Sequence, residues 1–353
     1  MYKSEKCETD ECVRRRQGEE GVTIVEILVV MLIFLMVTSV IFGLLSAARI
    51  SRNAIDSQVQ VTKGVRLGLN LLGRDTYNAG YAFPVDSSVR VPDLALSNLL
   101  GTPADTINTR DKVPAIIVGN DLNANTFNQT AGTVTDQVTF VFKDMTFNLL
   151  PTTIPVERRI SQPLNINAVT TDLATGIDEV IPISGSNAGC NINDIFLVTG
   201  NNGSAVAVVT GLSGTNKLQF GNSDALNLNL SGPTGPLNAI QTPGSMIRVR
   251  LVTYFVTADG ILTRREFGNV APPGATGAFV DEPLIYNVEN LQIQYIMDDG
   301  TLSDNPATAN LEKVRQVRYT LSVRTTQLDP AGQPTRITQT STFSTRNLGY
   351  DAS

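Results

Sequence analysis

The chain has 353 residues, of which 42% are hydrophobic and 17% are charged, and its formal net charge is −6. This length and apolar content allow the core of one large domain or two smaller ones, whereas the negative charge argues against a general nucleic-acid binder, so we expect no nucleic-acid partner. The absence of histidine excludes Ser-His-Asp, Cys-His and histidine-metal chemistry. No P-loop or dinucleotide fingerprint occurs, and we expect neither enzyme activity nor a cofactor.

The N-terminal region combines a charged leader with an apolar run. Residues 1–21 contain an arginine triplet ending at Arg16, and the segment 22–45 has Glu26 as its single charge. In a helix this run is roughly 36 Å long, enough for a bilayer core of about 30 Å. Because lysine and arginine mark the cytoplasmic side, we predict one span with a cytoplasmic N-terminus. An ordinary signal anchor has the same hydrophobicity, and Ser46-Ala47-Ala48 leaves a Sec-type cleavage site open.

Helical periodicity continues beyond the apolar run. In the segment 46–80 apolar residues recur at near-helical spacing, charged residues occupy the other faces, and proline is absent. We therefore predict one helix of about 55 residues starting at Val22, with its first half in lipid and its amphipathic second half packed on a globular domain. Ala79-Gly80 followed by Pro84 is a typical helix end.

The remaining residues, 81–353, predict a β-rich extracytoplasmic domain, and the whole chain an α+β fold. The segment 83–245 is loop-rich, and the pattern assigns it no role. In the last third, Met246–Val256 and Ile261–Phe267 predict a hairpin, and apolar residues alternate with polar ones from Val317 onwards, as in a half-buried strand. The other β-prone runs are 115–118, 137–142, 178–182, 194–199, 205–210, 217–220, 291–297 and 335–345.

A glycine at the polar–apolar junction and an acid five residues later carry a family resemblance. Gly21, the apolar run behind it and Glu26 resemble the class III signal of type IV prepilins and pseudopilins. The resemblance implies cleavage between Gly21 and Val22 by a prepilin peptidase, N-methylation of Val22, and a role for Glu26 in subunit registration. The family more often has phenylalanine where this chain has Val22.

The end of the predicted helix narrows the resemblance. The stretch 74–81, which reads Arg-Asp-Thr-Tyr-Asn-Ala-Gly-Tyr, is similar to the end of the first helix in the minor pilin PilW family and in the related type II secretion pseudopilins of the J type. The resemblance is firm over residues 14–81, looser over 246–348 and absent between them. It implies a pilin-like fold, in which a long N-terminal helix packs on antiparallel β-sheets.

The resemblance also implies a location, partners and a function. It implies a protein of the inner membrane, with a single span and a periplasmic C-terminal domain, that later joins a pilus at the cell surface. The implied partners are the prepilin peptidase, other minor and major pilins and the assembly platform of the inner membrane. The expected function is that of a minor pilin that is incorporated into the filament or primes its assembly, near the tip. A J-type pseudopilin and a tip adhesin are the alternatives.

Three further features of the sequence are a cluster of aspartates, a single downstream cysteine and a set of arginines. Asp298, Asp299 and Asp304 supply enough oxygen atoms for Ca²⁺, but their spacing is not that of an EF-hand, and a polar hairpin loop is the favoured interpretation. Cleavage after Gly21 would leave Cys190 as the one cysteine of the mature chain, because the other two lie in the leader, so we expect no internal disulfide. A set of arginines on the predicted C-terminal strands is interpreted as solvated strand faces, with a partner surface as the alternative; its members are Arg248, Arg250, Arg264, Arg265, Arg315 and Arg318.

Overall fold

A long helix, α1, runs from Ile24 to Asn78 over 55 residues. The computed structural model describes residues 22–84, 89–92, 111–125, 127, 134–150, 160–166, 179–182, 189–201, 203–214, 217–221, 224, 226–229, 237, 240, 244–269, 279–329 and 332–348. The leader 1–21, and with it Gly21, lies outside the described residues. At 1.5 Å per residue α1 is about 83 Å long. The prediction of a single helix of this length is confirmed, with its start two residues later.

Local chemistry explains both ends of α1. At its start the Thr23 hydroxyl accepts a hydrogen bond from the Glu26 backbone N–H, and the Glu26 carboxylate accepts one from the Thr23 backbone N–H, which together form a capping box. At its end Ala79 leaves helical geometry with ψ 133°, and Gly80 follows with φ +78°. This left-handed conformation is favourable only for glycine and stops the helix.

The rest of the described chain is built from β-strands, which confirms the α+β class. The strands are β1 Val89–Val91, β2 Asp111–Val113, β3 Ile116–Ala124, β4 Val134–Lys143, β5 Leu149–Leu150, β6 Ile160–Ser161, β7 Leu164–Ile166, β8 Glu179–Pro182, β9 Ile195–Gly200, β10 Gly203–Val208, β11 Gly211–Ser213, β12 Lys217–Phe220, β13 Gly244–Val256, β14 Leu262–Phe267, β15 Phe279–Ile285, β16 Val288–Met297, β17 Leu302–Ser303, β18 Val314–Leu328 and β19 Pro334–Ser344. A 3-10 helix, Thr308–Lys313, precedes β18.

Strand β13 is the centre of the largest sheet. Its residues 244–248 pair with β7 and β9, whereas residues 249–256 pair with β4 and β14. The ten strands follow the order β15-β14-β13-β9-β10-β1-β2, with β3, β4 and β7 attached beside this path. Among these pairs β1 and β10 are parallel, so the sheet is mixed rather than purely antiparallel. By changing partners along its length, β13 joins the middle of the chain to the hairpin of the last third.

A four-stranded antiparallel sheet, in the order β17-β16-β18-β19, carries α1 on one face. Along β18 the side chains of Val317, Tyr319, Leu321 and Val323 are buried and alternate with more exposed neighbours, which confirms the predicted period of two. The Tyr319 hydroxyl lies 2.6 Å from the Thr76 hydroxyl of α1. The second half of α1 therefore packs on this sheet, while β15 also contacts the helix.

A second apolar cluster, around Phe147 and Phe196, encloses the thiol of Cys190. Burial, and next the nearby Asp194 carboxylate, raise the pKa of Cys190 from 9.0 to about 11. The thiolate is the reactive form of cysteine. A pKa of about 11 instead of 9.0 lowers the fraction of Cys190 present as thiolate at pH 8 by about a hundredfold.

We expect Cys190 in the folded full-length chain to react with iodoacetamide about a hundredfold more slowly than in urea, because the thiolate is scarce and the sulfur is buried. Mass spectrometry of the labelled peptides, sampled over time at pH 8, measures the rate. Leu212→Cys introduces a thiol at an exposed position and serves as the control, which we expect to react at the same rate folded and unfolded. Equal rates for Cys190 in the two states would contradict the prediction.

Candidate functional site: the apolar helix and its junction with the domain

The first half of α1 is an apolar surface that no described part of the chain covers. Nearly every residue from Ile24 to Asn53 is exposed, and burial against the domain begins at Ala54 and Ser57. Within the described residues α1 is the one helix that is long and apolar enough to cross a membrane, and none of its apolar window is buried. Exposure of so large an apolar surface to water is unfavourable, and by length and composition this half could serve as a membrane anchor.

The two predicted N-terminal site residues that are described lie together at the start of this surface. Val22 is exposed, and the Glu26 carboxylate oxygen Oε2 accepts hydrogen bonds from the Thr23 backbone N–H at 3.0 Å and from the Thr23 hydroxyl at 3.1 Å. The first of these bonds satisfies a backbone donor that a helix start otherwise leaves free. The carboxylate thus makes these hydrogen bonds within its own chain, at the start of α1 and close to Val22.

At the other end of the helix a buried carboxylate joins α1 to the large sheet. The side chain of Asp75 is 1% exposed; its Oδ2 accepts hydrogen bonds from the Tyr254 hydroxyl at 2.7 Å and from Arg264 Nε at 3.1 Å. Burial first, and then the Asp75 charge, raise the pKa of Tyr254 well above its usual range, so the phenol stays neutral and donates. The motif residue Asp75 is therefore a structural anchor of the helix.

The anchor continues as a chain of alternating charges. Arg74 Nε lies 2.9 Å from Asp75 Oδ1, Arg264 bridges Asp75 and Glu266, and Glu266 Oε1 lies 3.1 Å from Arg250 Nε. We call these five residues, Arg74, Asp75, Arg264, Glu266 and Arg250, the ionic row. Its three inner members are largely buried, whereas the two arginines at its ends are 55% and 40% exposed. Each inner carboxylate is balanced by a cation on both sides.

The Ala-Gly-Tyr part of the motif fastens the helix end to β4. The Gly80 backbone N–H donates to the Val141 carbonyl at 3.0 Å, and the Tyr81 carbonyl accepts from the Lys143 N–H at 3.1 Å. A Cβ at Gly80 would also lie 2.9 Å from the Asn347 carbonyl oxygen. Gly80 is thus required both by its positive φ and by the close approach of the C-terminal segment.

The predicted calcium candidates lie in and beside the turn between β16 and β17. Asp299 Oδ1 accepts hydrogen bonds from the Thr301 backbone and hydroxyl groups, and Asp304 Oδ1 accepts one from Gln294. Bonding to Thr301 lowers the pKa of Asp299, which is exposed. In the part of the chain that the structure describes, no three acidic, cysteine or histidine side chains form a group that could hold a metal ion.

The C-terminal arginines were predicted only as solvated strand faces or a partner surface, and this missed the pairing of Arg264 with Asp75. That pair joins residues 189 positions apart in the sequence. Several other arginines of the set also bond within the chain: Arg248 with Asp144 and Asp194, and Arg265 with Asp281. One signal was available in the sequence, since Tyr254 and Arg264 both fall within the predicted hairpin of β13 and β14.

The chain matches no protein-family model and no curated protein.

Proposed function

We propose that this protein is a minor pilin, a subunit that is cut by a prepilin peptidase and then enters or primes a type IV pilus filament, near its tip. The observation that carries the proposal is the two-part helix α1. Its first half is apolar, exposed and preceded by the Gly21–Val22 junction, while its second half is anchored to a β-domain through Asp75. This division suits a subunit whose apolar half-helix first spans the membrane and later packs in a filament, while the other half carries the domain.

The physics of the first half supports such a transfer. Lipid tails are as apolar as leucine, so packing α1 against other apolar helices is not opposed by a large hydrophobic transfer term. The main electrostatic obstacle is the Glu26 carboxylate, because a charge within the hydrocarbon region costs up to about 3 kcal/mol. Cleavage after Gly21 would create an amine at Val22, four residues from this acid, as its natural partner.

In the proposed filament Glu26 pairs with the Val22 amine of a neighbouring subunit. The capping box holds the carboxylate within its own chain before that contact, and a cap of this kind contributes about 1 kcal/mol. An ion pair in a low-dielectric environment is stronger, provided both charges are fully paired. Transfer of the Glu26 carboxylate from the capping box to the neighbouring amine would set the axial register of the subunit. The proposed partners are the prepilin peptidase, the major and other minor pilins and the membrane assembly platform.

The N-terminus of the protein extracted from the inner membrane tests the processing step. We expect the sequence to start at an N-methylated Val22, with the domain on the periplasmic side and part of the protein in surface filaments. Edman sequencing and mass spectrometry of the extracted chain give the answer. An N-terminus at Met1, or one after Ala48, would refute the assignment. If a deletion strain lost protein secretion but kept its pili, the protein would instead be assigned to a type II secretion system.

We expect Glu26→Gln to reduce incorporation into filaments about thirtyfold, because losing a buried charge pair costs about 2 kcal/mol or more. Glutamine can still cap the helix, so this variant removes the charge and spares the capping box. Thr23→Ala is the matched control, since it weakens the cap and keeps the charge, and we expect it to remain within a few-fold of the parent. Immunoblots of sheared filaments measure the incorporation. Normal incorporation of Glu26→Gln would contradict the charge-pairing step.

A further inference from the structure

Beside the end of α1 the domain has a groove that the proposed assembly does not use. It has a volume of about 250 Å³, and the residues of its wall on which the inference depends are Arg74, Tyr81, Met145 and Arg250. We call it the arginine groove. The helix end forms one wall and the end of β4 with its following turn forms another, so the groove lies across the junction that Gly80 and Tyr81 fasten.

Both ends of the ionic row face the arginine groove. Arg74 Nε donates a hydrogen bond to Asp75 at 2.9 Å, whereas Arg250 Nε forms an ion pair with Glu266 Oε1 at 3.1 Å without hydrogen-bond geometry. Within the described residues no hydrogen bond from the terminal nitrogens of either guanidinium group is found. Their inward ion pairs hold both guanidinium groups against the inner carboxylates, and the terminal N–H donors remain for another acceptor.

The charges that reach solvent in this groove are positive. Among the carboxylates of its wall, Asp75 is 1% exposed and is bonded to Tyr254 and Arg264, and Asp144 is 7% exposed and is bonded to Arg248. Arg74 and Arg250 are 55% and 40% exposed. The acids thus form an inner layer that is already paired, and an approaching molecule meets the guanidinium groups. A carboxylate matches their forked donors, and such pairs are among the strongest hydrogen bonds in proteins.

We infer that the arginine groove binds an acidic side chain, together with a neighbouring apolar side chain, from a peptide segment of a partner protein. Its 250 Å³ is below the usual volume of pockets for drug-sized ligands, about 300–1,000 Å³, and accommodates one or two side chains. The exposed Tyr81 and Met145 on its rim offer apolar contacts beside the charges. Tyrosine, methionine and arginine together are the residue types enriched at protein interfaces.

This site goes beyond the proposed filament function and does not depend on it. The groove belongs to the domain and lies at the far end of α1 from Glu26, so loss of the groove would leave cleavage at Gly21–Val22 unchanged. Binding and processing are also measured in separate experiments.

Calorimetric titration of the full-length protein in dodecylmaltoside micelles tests the inference. The probe is the blocked peptide Ala-Leu-Glu-Leu-Ala, and its counterpart with glutamine in place of glutamate is the uncharged control. We expect the glutamate peptide to bind at 20 mM salt, and Arg74→Gln combined with Arg250→Gln to weaken binding at least about tenfold, because each removes a charge-assisted contact. Lys63→Gln combined with Arg66→Gln removes the same two positive charges from exposed positions of α1 away from the groove and is the matched protein control.

Each outcome decides the matter. Binding of the glutamate peptide that survives in the Lys63→Gln, Arg66→Gln control and weakens at least about tenfold in the Arg74→Gln, Arg250→Gln variant supports the inference. Equal weakening in both variants would show general attraction to a basic surface and would overturn it. Equal binding of the glutamine peptide, binding of inorganic phosphate without the peptide, or no heat from the peptide would each overturn it as well. Unchanged urea midpoints for the variants ensure that folded protein is compared.

Discussion

Asp75→Asn is expected to lower the free energy of unfolding of the domain by about 3 kcal/mol. Asparagine keeps one acceptor for Tyr254 but removes the negative charge that faces Arg264, whose side chain is 8% exposed. Removing one partner of a buried ion pair leaves an uncompensated charge, which costs about 3–5 kcal/mol; Glu266 bonds to the same guanidinium group at 2.8 Å and moderates the loss. Urea denaturation of the full-length chain in detergent, followed by circular dichroism, measures the change.

Two companion variants distinguish the effect of breaking the buried Asp75–Arg264 pair from the effect of removing any negative charge. Asp56→Asn breaks the exposed pair of Asp56 with Arg52, whose side chains are 64% and 84% exposed, and is expected to change stability by less than about 0.5 kcal/mol. Combining Asp75→Leu with Arg264→Met removes both charges but also the partners of Glu266 and of the Tyr254 hydroxyl, so recovery of most of the loss is expected only when Glu266→Gln and Tyr254→Phe are added. A change below about 1 kcal/mol for Asp75→Asn would refute the role of Asp75 as the anchor of α1.

Gly73→Val is expected to destabilise the domain by up to about 3 kcal/mol, because a larger side chain cannot enter this contact without shifting the sheet. Gly73 faces the ring of Phe343 on β19, and a Cβ atom there would lie 2.7 Å from Phe343 Cζ and would overlap two further ring carbons. The ring is held in turn by Tyr319, whose centroid is 6.0 Å away. The same urea denaturation measures the loss.

Gly64→Val is the matched substitution on the same helix. Nothing lies within 4 Å of a Cβ at Gly64, and valine is a slightly better helix former than glycine, so stability should stay within about 0.5 kcal/mol of the parent. Adding Phe343→Leu to Gly73→Val should restore part of the loss by making room. Equal effects at the two glycines would show that helix propensity, rather than contact with Phe343, decides the cost.

Several strands were not predicted from the sequence, and β15 is the longest of them. The run Asp281-Glu282-Pro283 within it is unfavourable for a central strand. The strand lies at the edge of the sheet, where proline is tolerated, and Arg265 Nε bonds to Asp281 at 2.6 Å. Ile285 then reaches α1 beside Gly68. Pairing with β14 and an ion pair between strands thus outweighed the local propensity.

The sequence by itself determined what depends on near neighbours in the chain. The apolar run behind Gly21, the length of α1, its end at Ala79-Gly80 and the alternation along β18 all follow from periodicities and end signals within a few residues. The capping box of Thr23 and Glu26 is of the same local kind. These features explain why the α+β class and the apolar helix could be predicted.

Only the tertiary structure decided what the end of the helix does. Asp75 meets Tyr254 and Arg264 across 179 and 189 positions of the sequence, and no local pattern encodes such a distance. The same holds for the two arginines that face one groove. Their positions depend on the packing of α1 against β4, β13 and β14, because a buried charge is stable only where folding supplies its partners.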